Sequence, residues 1–362
     1  MEYNIYLTND CNLGCDYCSV LLDCKKYDIP IVPQYSNELL ADFIRRTAEQ
    51  CHDPNVMLFL FGGEPTLEYQ LTADCVAYLK NNLPGLNFYP ILHTNGLLLN
   101  QIPAGLLADL ALVMLSVNYE RIPHHQLSPG YFSTIIDNAL GLKNKRPDLP
   151  LVGRFTITEK TSLFTETVMC DRFFDLIHWQ LENAPALRDF DSFYAAYTYD
   201  TALLFETWVR RMEEGVLLKY IPFMVALKYL LHHDRDDNLF CCGYDRHMIF
   251  VQTDGRCYAC CDGVAEGIHR IGDLERGIAF KGFKLTDFRC GDCDYRPLCM
   301  GRCGRMHREF SPERIDEYCR LNKFMYDLFL KEKDRLRLIL EARPDFLEQL
   351  SGWIPDVMEQ TP

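Results

Sequence analysis

The chain has 362 residues, 48% of them hydrophobic and 24% charged, which suits roughly two folded domains and excludes a disordered or low-complexity protein. A formal net charge of −14 excludes a general grip on nucleic acid, because neutralising phosphates needs clustered Lys and Arg. The sequence has no basic region followed by a short apolar stretch at its start and no apolar run near 18 residues, so the expectation is a soluble, cytoplasmic protein without membrane contact.

In chain order, strand-like and helix-like segments alternate through the first half. Residues Asn4 to Thr8 read as a strand, Asn37 to Gln50 as a helix, Val56 to Phe61 as a buried strand, Leu71 to Asn81 as a helix and Leu86 to His93 as a strand. The pattern continues with Leu112 to Val117 (strand), Tyr131 to Lys143 (helix), Leu151 to Thr158 (strand), Cys170 to Glu182 (helix) and Phe193 to Thr198 (strand). Such alternation implies an α/β fold with a parallel sheet, most simply a partial (β/α)6 barrel of the TIM type, with its chemistry in the loops after the strand C-termini. Leu203 to Glu214 and Leu217 to His232 read as two linking helices, Val251 to Tyr258 as a hairpin around Asp254-Gly255, and Tyr318 to Ala342 as one amphipathic helix, with Trp353 packed on the body. The expected division is 1–200 for the barrel, 201–235 for a linker, 236–325 for a cysteine-rich domain and 326–362 for a helix and tail.

Seventeen cysteines are distributed unevenly, with three at 11–18 and ten between 241 and 319. Their spacings are those of metal ligands in a reducing compartment, not of a secreted disulfide framework. Cys51, Cys75 and Cys170 fall in helical patterns and read as core residues. The pair His232-His233 reads as a polar helix end.

The run Cys11-Asn-Leu-Gly-Cys15-Asp-Tyr-Cys18 follows the first strand. Three thiolates at this spacing bind three irons of a 4Fe-4S cluster and leave the fourth open. A structural zinc site would need a fourth ligand, for which Cys24 is the nearby candidate. The run resembles the signature of the radical SAM superfamily, including the aromatic Tyr17 before the third cysteine. The resemblance implies that the open iron is chelated by S-adenosylmethionine, which one electron cleaves to a 5'-deoxyadenosyl radical. Phe61-Gly62-Gly63-Glu64-Pro65-Thr66 resembles the family element that holds the amino group of this cofactor; alone it is a tight turn. His93-Thr94-Asn95-Gly96 is similar to a family turn near the cofactor, and equally reads as a turn chosen for its Asn-Gly step. By the same resemblance Ser116 and Arg154 match positions for its ribose and carboxylate, whereas Asn118 stands where many relatives carry Asp.

The array Cys290-x2-Cys293-x5-Cys299-x3-Cys303, with Cys319 after it and Cys242 and Cys260 before it, has too many ligands for one ion or cluster. It resembles the SPASM domain of peptide- and protein-modifying radical SAM enzymes. That resemblance assigns Cys290, Cys293, Cys299 and Cys319 to one auxiliary 4Fe-4S cluster and Cys242, Cys260 and Cys303 to a nearer one. For the fourth ligand of the nearer cluster Cys241, Cys257 and Cys261 are available, or the position is open. The x2 spacing of Cys257 and Cys260 favours Cys257. Asp262 is a candidate general base, one residue later than in sulfatase-maturing relatives, or else a solvated loop carboxylate.

These implications give a radical SAM oxidoreductase with three 4Fe-4S clusters that oxidatively modifies a peptide or protein, in the layout of a sulfatase maturase. The implied partners are that substrate, an electron donor such as flavodoxin or ferredoxin, and a separate leader-binding protein or the barrel mouth itself for recognition. The alternatives are a radical SAM dehydrogenase of a small molecule and a non-catalytic iron–sulfur carrier. The Gly62 to Pro65 element counts against the carrier, which has no need of an amine site.

Overall fold

The computed structural model describes residues 1–15, 18, 28–119, 130–183, 187–231, 240–261 and 267–350. Tyr17, Cys24, His232, His233, Asp262 and Trp353 lie outside the described residues. The chain divides into two compact units that interleave along the sequence: Met1–Val117, Ile122–Gly153 and Tyr244–Gly282 form the first, and Asn118–Arg121, Arg154–Gly243 and Phe283–Pro362 the second. This differs from the linear order expected from the sequence, because the segment holding the Asp254-Gly255 hairpin folds with the N-terminal strands.

In the first unit, strands β1 (Glu2–Thr8), β2 (Asn55–Gly62), β3 (Asn87–Thr94) and β4 (Leu112–Ser116) are joined through helices α1 (Asn37–Cys51), α2 (Tyr69–Asn82) and α3 (Ala104–Asp109). These strands are parallel, with Tyr3 opposite Leu58, Phe59 opposite Ile91 and Leu92 opposite Val113. On its other edge β1 pairs in parallel with β7 (Met248–Val251), which continues antiparallel through β8 (Arg256–Tyr258), β9 (Arg270–Asp273) and β10 (Gly277–Ile278). The order within this unit is therefore β10-β9-β8-β7-β1-β2-β3-β4.

β1 is buried along its whole length, as a central parallel strand covered on both faces should be. Tyr3 on one face meets Phe43 of α1 edge-on at 6.3 Å, and Tyr6 on the other meets Phe61 at 5.2 Å. α1 starts where the Ser36 hydroxyl accepts from the Leu39 N–H, and its buried stripe, Leu40, Phe43, Ile44, Thr47 and Ala48, has helical spacing. Because β1 to β4 run in parallel, their C-terminal ends share one edge of the sheet, and every expected residue of the first unit's site follows one of them.

In the second unit, β6 (Leu176–Leu181) pairs with the end of β5 (Leu151–Ile157), where the Glu182 N–H donates to the Ile157 carbonyl at 2.9 Å. Two expectations are corrected here. The stretch Cys170 to Glu182, read as a helix, ends one helix at Asp171 and then forms β6, whose alternation of Leu176, His178 and Gln180 with Ile177, Trp179 and Leu181 is the period of a strand. Phe193 to Thr198, read as a strand, opens a helix of 24 residues, Phe190–Glu213, which the Asp189 carboxylate caps by accepting from the Ser192 N–H. Its buried positions Phe193, Tyr197, Thr201, Leu204, Phe205, Trp208 and Met212 have helical spacing that the aromatic run concealed. The second linking helix spans Ile221–Leu231, and the expected single helix at Tyr318 to Ala342 is two, Pro312–Lys331 and Lys333–Ala342.

The core of this unit is aromatic. Trp179, Phe205, Trp208, Phe223 and Phe329 meet with ring centroids 4.7–6.2 Å apart. Among the described residues no helix is long and apolar enough to cross a membrane.

Candidate functional site

The cysteine loop leaves β1 already clamped. The Asn9 N–H donates to the Ile31 carbonyl at 2.7 Å, and its side-chain amide lies 2.8 Å from the Pro30 carbonyl, 2.9 Å from the Thr253 hydroxyl and 3.0 Å from the Gln252 amide oxygen. The β7–β8 hairpin turn thus fixes the root of the loop, a role that no motif announced. Farther along, the Leu13 N–H donates to Cys11 Sγ at 3.4 Å and the Cys18 N–H to the Cys15 carbonyl at 3.1 Å. Burial pushes the Cys11 thiol up to about 12, and the neighbouring charges of Glu64, Cys18 and Cys15 act in the same direction. The three sulfurs of the signature therefore share one environment.

Gly62 and Gly63 press the turn after β2 against this loop. The Gly63 N–H donates to the Thr8 carbonyl and the Glu64 N–H to the Asp10 carbonyl, both at 2.8 Å. A Cβ on Gly63 would stand 2.1 Å from the Asp10 carbonyl oxygen, and one on Gly62, whose φ is +134°, 2.1 Å from that of Thr8. Only glycine permits this approach.

Glu64 makes protein hydrogen bonds that its motif does not announce. Its carboxylate is buried and accepts four protein hydrogen bonds: at Oε1 from the Thr66 N–H (3.0 Å), the Thr66 hydroxyl (2.6 Å) and the Thr94 hydroxyl (2.7 Å), and at Oε2 from the Asn95 N–H (2.7 Å). Burial raises its pKa against the pull of these bonds. The side chain is a strut between the turns after β2 and β3. From the second of these turns, Asn95 Nδ2 donates to Asn12 Oδ1 at 2.7 Å, inside the cysteine loop. Ser116, at the end of β4, shares a 3.0 Å hydrogen bond with His93 Nε2, and the His93 ring lies 5.3 Å from that of Phe61. The structure thus brings Cys11, Cys15, Cys18, Gly62, Gly63, Glu64, Asn95 and Ser116 to one edge of the first unit.

Arg154 belongs to the second unit, where its guanidinium donates to the Gln180 amide oxygen. Asn118, in the same unit, donates to the Thr156 carbonyl at 3.1 Å and lies 3.4 Å from the Glu166 carboxylate, which is fully buried and also accepts from the Tyr119 N–H at 2.6 Å. An Asp here would set a second carboxylate beside a buried one, so the departure from the family pattern has a local cause.

The cysteines of the C-terminal array separate by unit. Cys290, Cys293, Cys299 and Cys319 line one cavity in the second unit, together with His307 and Asn322. After burial, the charges of Cys319 and Cys293 push the Cys290 thiol up, to about 11; Cys299, raised first by burial, feels Cys241, Cys319, Cys290 and Cys293. Among the described residues no three His, Cys, Asp or Glu side chains converge tightly enough for a single metal ion, which needs its sulfurs about 2.3 Å from one point. Four thiols line the cavity, the number of thiolates that a 4Fe-4S cluster takes. The Asn322 amide oxygen, buried on the cavity wall and without a hydrogen-bond partner, marks the same space as built for an occupant.

Cys242 and Cys303 lie in the second unit, and Cys257, Cys260 and Cys261 in the first. Cys257 packs on a different face from Cys18 and Cys261. Its fully buried side chain acts on the Tyr3 and Tyr35 hydroxyls, on the face that β1 turns to α1. Tyr258, one residue on, takes the opposite face with Tyr6, Ile29 and Phe250, where Cys18 and Cys261 also pack. Cys257 is a core cysteine. Cys241, also considered for the nearer cluster, is buried beside Cys299, with its thiol 3.1 Å from the Arg302 carbonyl.

Comparison with known proteins follows this geometry. Residues 5–129 match the Radical SAM superfamily. A cysteine-type anaerobic sulfatase-maturating enzyme of Clostridium novyi (strain NT) is 22% identical over 330 residues, which cover 82% of this chain and 86% of that protein. Among solved structures, native anSMEcpe with bound AdoMet and Cp18Cys peptide superimposes with a TM-score of 0.71 at 19% identity, covering 94% of this chain and 99% of that one. Native anSMEcpe with bound AdoMet gives 0.71 at 18% identity, covering 94% and 100%. Residues 5–129 are thus similar to the radical SAM superfamily, and most of the chain is similar to an anaerobic sulfatase-maturating enzyme and shares its fold with the anSMEcpe structures.

Proposed function

We propose that this protein binds three 4Fe-4S clusters and S-adenosylmethionine and uses them to oxidise a side chain or backbone position of a peptide or protein by two electrons. The observation that carries the proposal is the docking of the segment from Thr8 to Asn12, which leads into the cysteines, onto Gly63, Glu64 and Asn95. It holds three thiolates beside a turn where backbone comes close enough to grip a ligand. Bound there, a cluster with S-adenosylmethionine supplies reductive cleavage of the cofactor and hydrogen-atom abstraction from the substrate.

The chain's own part is to orient and to enclose. Cys11, Cys15 and Cys18 ligate three irons, Gly62 and Gly63 offer backbone at close range, and Asn95 and Ser116 line the ligand side, with Arg154 for the carboxylate and Tyr17 beside the third cysteine. Glu64 fixes the geometry of these turns from within. Cys290, Cys293, Cys299 and Cys319 hold one auxiliary cluster, and Cys242, Cys260 and Cys303 a nearer one. We read the strands as a partial barrel and Asp262 as the candidate base. The relative from Clostridium novyi and the peptide-bound anSMEcpe structure support a peptide substrate, and a small one-electron protein such as flavodoxin or ferredoxin is the donor class.

The test is anaerobic incubation of the reconstituted enzyme with reductant, S-adenosylmethionine and candidate peptides encoded beside the gene. The expected products are 5'-deoxyadenosine and a peptide lighter by two hydrogens. A peptide converted without loss of hydrogen would overturn the oxidative reading.

A further inference from the structure

His307 stands on the wall of the four-cysteine cavity, outside the ligand set that the sequence assigned. Its Nε2 is 3.0 Å from the Gly301 carbonyl oxygen and 3.5 Å from Cys290 Sγ. A carbonyl oxygen only accepts, so Nε2 carries the proton, and the same N–H is shared with the cysteine sulfur. The ring has little freedom to leave. Phe240 and Phe288 flank it with centroids at 5.8 and 5.6 Å and meet each other edge-on at 5.6 Å.

Gly301 sits at φ +71°, with the space where a Cβ would stand already filled by Leu285 and Phe240, so the carbonyl that orients His307 is itself fixed by packing. Cations line the cavity, although Arg289 is paired with Asp316. Arg296, Arg302 and Lys323 line it, and Arg289 acts on the Cys290 and Cys319 thiols.

We propose that His307 donates an N–H···S hydrogen bond to the Cys290 thiolate and thereby raises the reduction potential of the cluster held by Cys290, Cys293, Cys299 and Cys319. His307 is a positioning residue that acts through Cys290. The inference rests on the proposed iron–sulfur reading of this cavity. Reduction adds one electron to a group already carrying four thiolates, and a donor on a ligating sulfur stabilises the more negative state. With the surrounding cations this makes the site an electron acceptor.

The experiment compares full-length wild type, His307→Phe and His307→Gln, each reconstituted anaerobically, by iron analysis and by dithionite titration followed with electron paramagnetic resonance. The signal of this cluster is the one missing from Cys290→Ala. His307→Phe should keep the wild-type iron content, roughly twelve per chain. At a fixed potential its reduced-to-oxidised ratio should fall about tenfold, equivalent to ~59 mV for one electron. His307→Gln, which keeps a donor, should recover most of that loss. Full iron content with an unchanged titration in His307→Phe overturns the inference.

A second measurement needs no variant. Wild type labelled with 15N-histidine should show a nitrogen coupling to this cluster in pulsed spectra, and its absence overturns the inference equally. About four irons per chain, unchanged by Cys290→Ala, would instead sink the iron–sulfur reading of the cavity and the inference with it.

Discussion

Glu64 offers the sharpest test of how the site is built, because its resemblance and its geometry assign it different work. By resemblance the carboxylate holds the amine of the cofactor; in the structure it is spent on Thr66, Thr94 and Asn95. Glu64→Gln keeps one carbonyl oxygen, enough for the donors at Oε1, but sets an amide N–H against the Asn95 N–H that now lies 2.7 Å from Oε2. Leaving one buried donor unsatisfied costs about 1–3 kcal/mol, and the remaining bonds lose their charge assistance. Relief of the buried charge offsets part of this, so the expected net loss is about 2 kcal/mol. With a urea dependence of about 2 kcal/mol per molar, the unfolding midpoint of the apoprotein, followed by far-UV circular dichroism, should fall by about 1 M. Equilibrium dialysis of the reconstituted enzyme gives the affinity for S-adenosylmethionine alongside. An unchanged urea midpoint with at least about a tenfold loss of affinity, ~1.4 kcal/mol, would show that the carboxylate serves the ligand and would refute the strut.

The other predictions use smaller perturbations. Gly63→Ala, whose new methyl would sit 2.1 Å from the Asp10 carbonyl oxygen, should displace the cysteine loop; reconstituted protein should lose about four of roughly twelve irons while the signal removed by Cys290→Ala persists. Cys257→Ala should keep full iron content, whereas Cys242→Ala, Cys260→Ala and Cys303→Ala should each lose about four irons; a loss in Cys257→Ala would return that residue to the ligand set. His247 gives a pH signature. Burial, with the nearby charges of Arg246 and the N-terminus, pushes its pKa down to about 4 from an unfolded value of about 6.5. Its contribution is therefore complete above pH 6.5 and is lost as pH falls through 6.5 toward 4, because the unfolded chain takes up the proton first. With the imidazole 37% exposed, the expected loss is about 1–2 kcal/mol. His247→Gln should flatten that segment of the stability profile, and an unchanged slope would remove the assignment.

The legible parts of the chain were those whose signal is local. β1 to β4 and the first two helices show clear periodicity, and the cysteine, glycine and Asn-Gly turns fall at strand ends as parallel topology requires. The misread segment, Cys170 to Thr198, failed for a physical reason. β6 and the helix from Phe190 bury aromatic and apolar residues so densely that strand and helix patterns look alike, and the Asp189 cap that marks the boundary is a single side chain. The interleaving of the units was hidden too, because the pairing of β7 with β1 joins residues more than 240 positions apart. At the site, Asn9 and His307 lie outside every quoted motif, and Asn12, Thr66 and Thr94 lie inside motifs whose pattern gave them no role; all are polar partners with no spacing rule of their own.

The proposed ligands differ from the core cysteines in their company, not in how far burial shifts them. Burial pushes Cys75 up to about 12, and Cys170 and Cys257 higher still, yet Cys11 is raised just as far and Cys290 to about 11. The difference lies in what else acts on each. For Cys75 burial is the whole cause, for Cys170 the added charges are carboxylates, and for Cys257 they are Asp273 and Asp254 with Arg270 opposing. For Cys11 they include Cys18 and Cys15, and for Cys290 and Cys299 they include the other cysteines of one cavity. Neighbouring thiols of this kind resist ionising together, and a cationic iron core would offset that resistance by taking all of them as thiolates. Loading must then release protons and tighten as pH rises, while the buried cysteines that stand apart stay protonated throughout. Among the described residues, Cys11 and the cysteines of the second unit's cavity are therefore set apart from Cys75, Cys170 and Cys257 by having other cysteines as neighbours, a property of the fold that spacing alone does not give.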